Sequence, residues 1–377
     1  MSESRGKQPA SAATQVSPPS GAAGEPADNG SGRSRLRLSR RGWTLALSAV
    51  LVVVFAMLGA FVRVPYVALG PGPTYDTLGA VNGEQVVSVE GRPTYPTGGE
   101  LRMTTVSLND DVTLFGALGL WVSGRFAIAP REEYFQPGES DEEVRRQNIQ
   151  QFRDSQSNAE VAALRSLGYP VKVVVKEVVS GSPADDVLSP GDEIVAVDGR
   201  RISNEDDVIA ALKGTRPGQT ISITFRHDGQ PTRTESVRLA RHPEGPQGFV
   251  GFQPIDRADV PFEVDIALED VGGPSAGLMF ALAIVDRMTP GKLVGGERVA
   301  GTGEISEKGQ VGAIGGISFK LVAAKEAGAT AFLVPERNCA EASAQAPEGL
   351  RLIKVSDLDG AVRALQNLDA GRPVPSC

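Results

Sequence analysis

The hydrophobic and polar positions of this chain fall into distinct rhythms, and each rhythm predicts a different element. From Trp43 to Val62 run twenty residues without a charge, WTLALSAVLVVVFAMLGAFV. At 1.5 Å per residue a helix of that length spans a bilayer core of about 30 Å. A cleaved signal peptide is the rival reading, but its apolar region is usually about 7–15 residues and starts nearer the N-terminus. The pattern predicts an uncleaved transmembrane helix over 43–62. Five arginines in RSRLRLSRR, residues 33–41, precede it. Positive charge stays on the cytoplasmic side, so 1–41 is expected to be a cytoplasmic tail with a basic end, and 64–377 to lie outside the cell membrane.

Beyond the apolar run the period shortens. In residues 64–166, short alternating runs such as QVVSVE and LRMTTVSL sit between GPGPTYD and RPTYPTGGE, which predicts an extracytoplasmic α+β region of strands and turns. VTLFGALGLWVSG, 112–124, is apolar but too short to span a bilayer. It is expected to pack as a core helix, with a place against the membrane surface as the alternative. Ser140, followed three residues later by Glu143, predicts a capped helix running to about 167. Residues 167–240 then read as strand VKVVVKEVV, a turn-rich segment, helix NEDDVIAALKG, and strands TISITFR and TESVRL joined at HDGQ. From 245 onward a further unit opens on FEVDIALED, whose alternate apolar positions predict a strand with one buried face.

Composition narrows the function. Apolar residues make up 41% and charged residues 22%, as in ordinary globular protein, and the formal charge of −8 offers nucleic acid no general attraction. Residues 1–32, rich in Ser, Pro, Ala and Gly, have no cluster able to form a core and read as disordered. Cys339 and Cys377 either pair or remain as two thiols. No CxxC pair, HExxH or EF-hand loop occurs, so neither a metal nor another cofactor is expected, and no GxxxxGK[ST] phosphate loop appears.

The candidate chemistry lies in GGPSAGLMFALAIVD, residues 272–286. Gly272 and Gly273 permit a tight turn, Pro274 suits the first turn of a helix, and the apolar run continues as that helix. Ser275 is then a nucleophile, a phosphate-binding hydroxyl or a helix cap. As a nucleophile it would have backbone N–H groups, with Gly273 and Ala276 beside it, available to a developing oxyanion. A serine needs a base. His227 falls in a turn between strands and His242 in an Arg/Pro/Gly linker, so both read as surface residues and a Ser–His–Asp triad is not expected. A buried lysine is the alternative, because removal from water disfavours its charged form. Lys292 and Lys308 sit in polar turns, while Lys320 opens KLVAAKEAGA after the Gly315-Gly316 turn, on a half-buried helix expected over 317–327. Lys325 falls on a more exposed arc.

Two families are resembled here. GSPADDVLSPGDEIVAVDG, with the order of elements around it, resembles PDZ domains of bacterial proteases over 167–240. That resemblance implies a peptide groove beside a helix at about Asn204–Lys213, with the loop Leu167-Gly168-Tyr169 as candidate carboxylate site. GPSAG, then TGEISEKGQVGAIGGISFKLVAAKEAG, then TAFLVP, is similar to the proteolytic domain of Lon proteases over 249–360, within a unit taken as 245–377. The resemblance implies a Ser275–Lys320 dyad, with Thr302 hydrogen-bonded to the lysine. The chain departs from that family at Gly272, where an acid is usual and the nearest acids are Glu269 and Asp270, and at Ser318, where another lysine is common. The order of units looks like the small bacterial group of membrane-bound, PDZ-containing Lon-like proteases. The expected whole is an α/β (α+β) multidomain chain with one transmembrane helix, a PDZ domain and a Lon-type proteolytic domain. It would hydrolyse proteins or peptides without ATP, and ring homo-oligomers are a further implication. A catalytically silent, membrane-tethered PDZ scaffold is the alternative.

Overall fold

The computed structural model describes residues 39–135, 138–227, 229–243, 245–268 and 271–377. The tail through residue 38, and Glu269 and Asp270, lie outside the described residues. The chain divides into two units between Ala56 and Met57, inside helix α1 (Arg40–Phe61). With a mean hydropathy of 2.5 over its most apolar stretch, α1 is long and apolar enough to cross a membrane.

The second unit begins with strands β1 (Tyr66–Asp76), β2 (Val87–Glu90) and β3 (Glu100–Asn109), helix α2 (Leu114–Val122) and strand β4 (Ala127–Pro130). Helix α3 (Asp141–Ser166) follows, and its expected capping box forms: the Ser140 hydroxyl accepts from the Glu143 N–H, and the Glu143 carboxylate accepts from the Ser140 N–H at 2.9 Å. Next come β5 (Val171–Val178), β6 (Glu193–Val197), α4 (Glu205–Leu212), β7 (Thr220–Arg226), β8 (Arg233–Arg238), β9 (Phe252–Ala258) and β10 (Glu263–Ile266). The chain closes with α5 (Gly277–Met288), β11 (Arg298–Gly301), β12 (Glu304–Ile305), β13 (Val311–Gly312), α6 (Ile317–Glu326), β14 (Ala331–Pro335), α7 (Cys339–Ala344), β15 (Arg351–Val355) and α8 (Leu358–Asp369).

One sheet runs in the order β15-β14-β11-β3-β1-β4. Its β3, β11, β14 and β15 are parallel, whereas β1 pairs antiparallel with β3 and β4. Successive residues of a strand face opposite sides. Val299, Leu333 and Ile353 therefore join α3, α5 and α8 in one core, while Ala300, Phe332 and Val334 meet α6 and α7 on the other face. Every residue of α5 is buried, and Phe280 stacks edge-on against Phe152 of α3 at 5.7 Å. Full burial of a side chain such as Phe280 contributes about 1.5–3 kcal/mol.

A second, antiparallel sheet runs β8-β7-β6-β5-β9, with Val173, Ile194, Val208 and Ile223 in its own core. It is an insertion. The expectation of a separate region at 64–166 is thus corrected, because β1, β3 and β4 complete the same sheet as β11, β14 and β15. Glu100–Met103 pair in register with Arg298–Gly301, although the whole inserted module lies between them in sequence.

Two further expectations are resolved. Helix α2 does not pack as a core helix: Ala117 is its one buried side chain, and Leu114, Phe115, Leu118, Trp121 and Val122 are 54, 50, 51, 62 and 71% exposed. The small cluster of Ala68, Val112 and Ala117 beneath it engages a single face of the helix. Cys339 and Cys377 form a disulfide, which ties the last residue to the first turn of α7.

Candidate active site

Ser275 lies in a turn before α5, and the cap position of that helix is Ala276, with no side-chain capping bond. The serine is therefore not a helix cap, and Pro274 precedes the helix rather than opening it. Backbone contacts hold the turn in place. The Gly303 N–H donates to the Ser275 carbonyl at 2.9 Å, and the Leu278 N–H to the Gly303 carbonyl at 3.1 Å. This close approach requires glycine at 277, where a Cβ would lie 2.7 Å from the Ile305 side chain.

Lys320 reaches the serine from α6. Gly316 before that helix is left-handed, at φ 67°, and a Cβ there would meet Val106 at 2.8 Å. Helical side chains tilt toward the N-terminus, which carries the Lys320 amine back over this turn. Its Nζ lies 2.7 Å from the Ser275 Oγ and 2.9 Å from the Thr302 Oγ1. The Thr302 hydroxyl donates to the Ser275 carbonyl at 3.0 Å. Lys320 is 3% exposed, and burial lowers its pKa from the usual 10.5 to about 7, with Glu304 pulling weakly the other way. Near neutral pH the amine is thus partly uncharged, as a base requires. When neutral, it accepts the serine proton along the same 2.7 Å contact.

The other predicted positions separate by their amides. The Gly273 N–H already donates to the Asn148 carbonyl at 3.0 Å, and Pro274 has no N–H. Among the described residues, the N–H groups of Ser275 and Ala276 have no protein acceptor, so they are the pair free to hold an oxyanion. A cleft of about 570 Å³ opens over them, lined also by Tyr75, Met103, Thr105 and Gln151. Helix α3 carries two positioning contacts that local sequence patterns did not mark. Asn148 holds Gly273, and the Ser155 hydroxyl donates to the Pro274 carbonyl at 2.9 Å. They stand seven residues apart on one helix face, a spacing shared by many core helices.

In the inserted module the loop Leu167-Gly168-Tyr169 cannot hold a carboxylate. All three of its amides donate to carbonyls of α3, and Tyr169 stacks on Phe262. The helix expected at about Asn204–Lys213 does form, as α4 between those two residues. The edge strand beside it is β9, and the N–H groups of Val250 and Gly251 before β9 have no acceptor among the described residues. Both amides fall within FVGF, 249–252. His227 pairs with Asp192 at 2.6 Å and His242 packs edge-on against Phe249, and neither lines the cleft over Ser275.

Fold and site define an α/β domain that carries a buried serine–lysine pair, with a smaller module built on an antiparallel sheet set into it. Residues 265–366 match the Lon protease (S16) C-terminal proteolytic domain, and residues 147–237 match the PDZ domain. The chain is 36% identical over 125 residues to a Lon protease of Methylocella silvestris, covering 32% of this chain and 15% of that protein. It is 40% identical over 94 residues to a Lon protease of Lachnoclostridium phytofermentans, covering 24% and 11%. The chain thus spans a small fraction of the length of these relatives. The PDZ domain of an SdrC-like protein from Listeria monocytogenes is similar at 25% identity, over 22% of this chain and 86% of that one, with a TM-score of 0.21.

Two expected results follow from the lysine's surroundings. Thr302→Val removes the hydroxyl that receives the amine but keeps the shape, and should lower peptide turnover about ten- to a hundredfold, the worth of one such bond. Unchanged turnover would remove Thr302 from the site. Lys320→Met should raise thermal stability. The wild-type lysine titrates near 7 folded and near 10.5 unfolded, so the unfolded chain binds more protons between these values. The lysine's penalty is full below pH 7 and fades as pH rises toward 10.5, amounting to roughly 4–5 kcal/mol at most before the two lost hydrogen bonds are subtracted. The rise in melting temperature should therefore be larger at pH 6 than at pH 9; a uniform or absent rise would contradict the buried amine.

Proposed function

We propose that this chain is a membrane-anchored serine endopeptidase that uses Ser275 as nucleophile and Lys320 as base. The observation that carries the reading is the 2.7 Å contact between the Ser275 hydroxyl and a buried amine. Neutral Lys320 takes the proton as Ser275 Oγ bonds to a peptide carbonyl carbon, and the amides of Ser275 and Ala276 receive the oxyanion. The tetrahedral adduct collapses, the C–N bond breaks, and the lysine returns its proton to the leaving amine. The same lysine then deprotonates a water that releases the acyl group. Thr302 holds the amine in line throughout.

The apolar helix α1 is read as the membrane anchor, with the arginines before it on the cytoplasmic side and the catalytic domain outside. Turnover is assigned no ATP requirement, so exposed tails and unfolded segments are the expected substrates. In detergent solution the full chain should cleave an unfolded test protein without nucleotide, at a rate that ATP leaves unchanged. Absence of cleavage, or clear stimulation by ATP, would contradict this reading.

The PDZ module is assigned the capture of substrate C-termini. Free amides at Val250 and Gly251 suit a carboxylate at one end of β9. Further along that strand, Pro254 has no N–H, and the Asp256 N–H donates to Glu307 at 3.1 Å. Backbone pairing is therefore available only to the last residues of a ligand. Glu307 lies in the turn between β12 and β13, three residues from Glu304 in the catalytic cleft, and neighbouring Lys308 pairs with Asp206 of α4 at 2.8 Å. A ligand that displaces Glu307 from β9 would thus be felt at the active site. Peptides with a free C-terminal carboxylate should bind at least about tenfold tighter than their amides, and change reporter-peptide turnover where the amides do not. Equal binding of acid and amide would exclude this groove.

A further inference from the structure

We propose that helix α2 lies in the lipid interface as a second, non-spanning membrane contact of this chain. The proposal rests on the reading of α1 as a membrane span. Leu114, Phe115, Leu118, Trp121 and Val122 follow the i, i+1, i+4, i+7, i+8 spacing of a single helix face, and each is at least half exposed. The opposite face, through Ala117 and Leu120, seats the helix on the domain beside Ala68 and Val112. At nine residues, or about 14 Å, α2 is far too short to cross a bilayer.

Its position selects the occupant of the apolar face. The chain leaves α1 at Phe61, and two residues later Arg63 pairs with Thr113, the N-cap of α2. The Val64 N–H donates to the Val112 carbonyl at 3.0 Å, and the Phe115 ring lies against Gly59 in the last turns of α1. Where α1 emerges from lipid, α2 therefore begins. The arginines nearby are paired: Arg63 with Asp111, Arg131 with Asp110 at 3.6 Å, and Arg125 with Glu326 at 3.0 Å. Such an apolar face beside neutralised flanks, with a tryptophan near one end, suits the boundary between headgroups and acyl chains.

A second contact point also fixes the height of the active site. Strand β1 starts at Tyr66, just beyond the exit from α1, and Tyr75 lines the cleft. Nine residues of strand extend about 30 Å, so the cleft stays within about that distance of the bilayer edge. With α2 in the interface the domain cannot swing freely on its tether, and cleavage is confined to segments passing close to the membrane.

The chain's two tryptophans, Trp43 and Trp121, allow a direct test in the full-length protein. Trp43→Phe leaves Trp121 as sole reporter on α2, and Trp121→Phe leaves Trp43 on α1. Each variant is reconstituted in vesicles of phosphatidylcholine brominated either near the headgroup or near the chain ends. Trp121 emission should fall about twofold or more with shallow bromines and less with deep ones, as for an interfacial helix. Quenching of Trp43 with no effect on Trp121 would overturn the proposal and leave the span intact. Blue-shifted but unquenched Trp121 emission would also overturn it, assigning the face to a second copy of the chain. If neither residue is quenched, the spanning role of α1 falls, and the proposal with it.

Discussion

Replacing Ser275 with alanine is expected to reduce peptide-bond hydrolysis by about 10⁴-fold or more, to the residue left by substrate binding and oxyanion contacts alone. The reason is the loss of the covalent route itself. With no oxygen at that position the carbonyl must be attacked by water directly, without the covalent intermediate that splits the reaction into two easier steps. The fold should be unaffected. The serine side chain is half-buried and its hydroxyl bonds only to Lys320, while the turn is held by backbone contacts to Gly303 that alanine preserves. Binding of a test peptide to the PDZ groove should also persist, which separates loss of chemistry from loss of structure. Wild-type cleavage rates in the alanine variant would exclude Ser275 as nucleophile.

Lys320→Met carries the second large effect, a fall of about 10²–10⁴-fold, the usual worth of a positioned general base. Methionine keeps the length and burial of the side chain and removes only the amine. In the wild type, a folded pKa of about 7 means that the reactive, neutral fraction rises with pH and levels off above neutrality. One pH unit below that pKa the rate should stand about tenfold under the plateau. The methionine variant should lose this inflection together with its activity. Because serine and lysine act on one proton, combining both changes should cost little more than the serine change alone. A variant that retained the inflection near pH 7 would show that another group is the base.

Ser275 and Lys320, both singled out from the sequence, stand 2.7 Å apart in the fold. The run after Gly277 announced a buried helix, and the placing of both histidines turned attention to lysine. The Gly315-Gly316 turn with the half-buried helix after it, together with the Lon resemblance, pointed to Lys320 rather than Lys292, Lys308 or Lys325. The pairing of distant strands was not legible, since alternation in LRMTTVSL tells that a strand exists but not that its parallel partner is RVAG, on the far side of an inserted domain. The free amides of Val250 and Gly251 were missed for a similar reason: which N–H groups are left without an acceptor depends on contacts made only in the fold. Helix α2 was misplaced because an apolar run reports affinity for an apolar surface, not which surface supplies it. Gly272, the departure from the resembled family, has a structural reason. A Cβ there would stand 3.0 Å from that of Asn148, the residue whose carbonyl anchors Gly273.

A neutral, buried Lys320 is the group proposed to activate Ser275. The most direct test is the rate of covalent labelling by a serine-reactive phosphonate, followed by intact mass and mapped to the modified residue across pH 5 to about 9, a window spanning the lysine pKa. A single adduct on Ser275 is expected, with a labelling rate that rises through a midpoint near pH 7 and is lost in Lys320→Met. Labelling of Ser275 at equal rates with and without the lysine, or an adduct placed elsewhere, would contradict it.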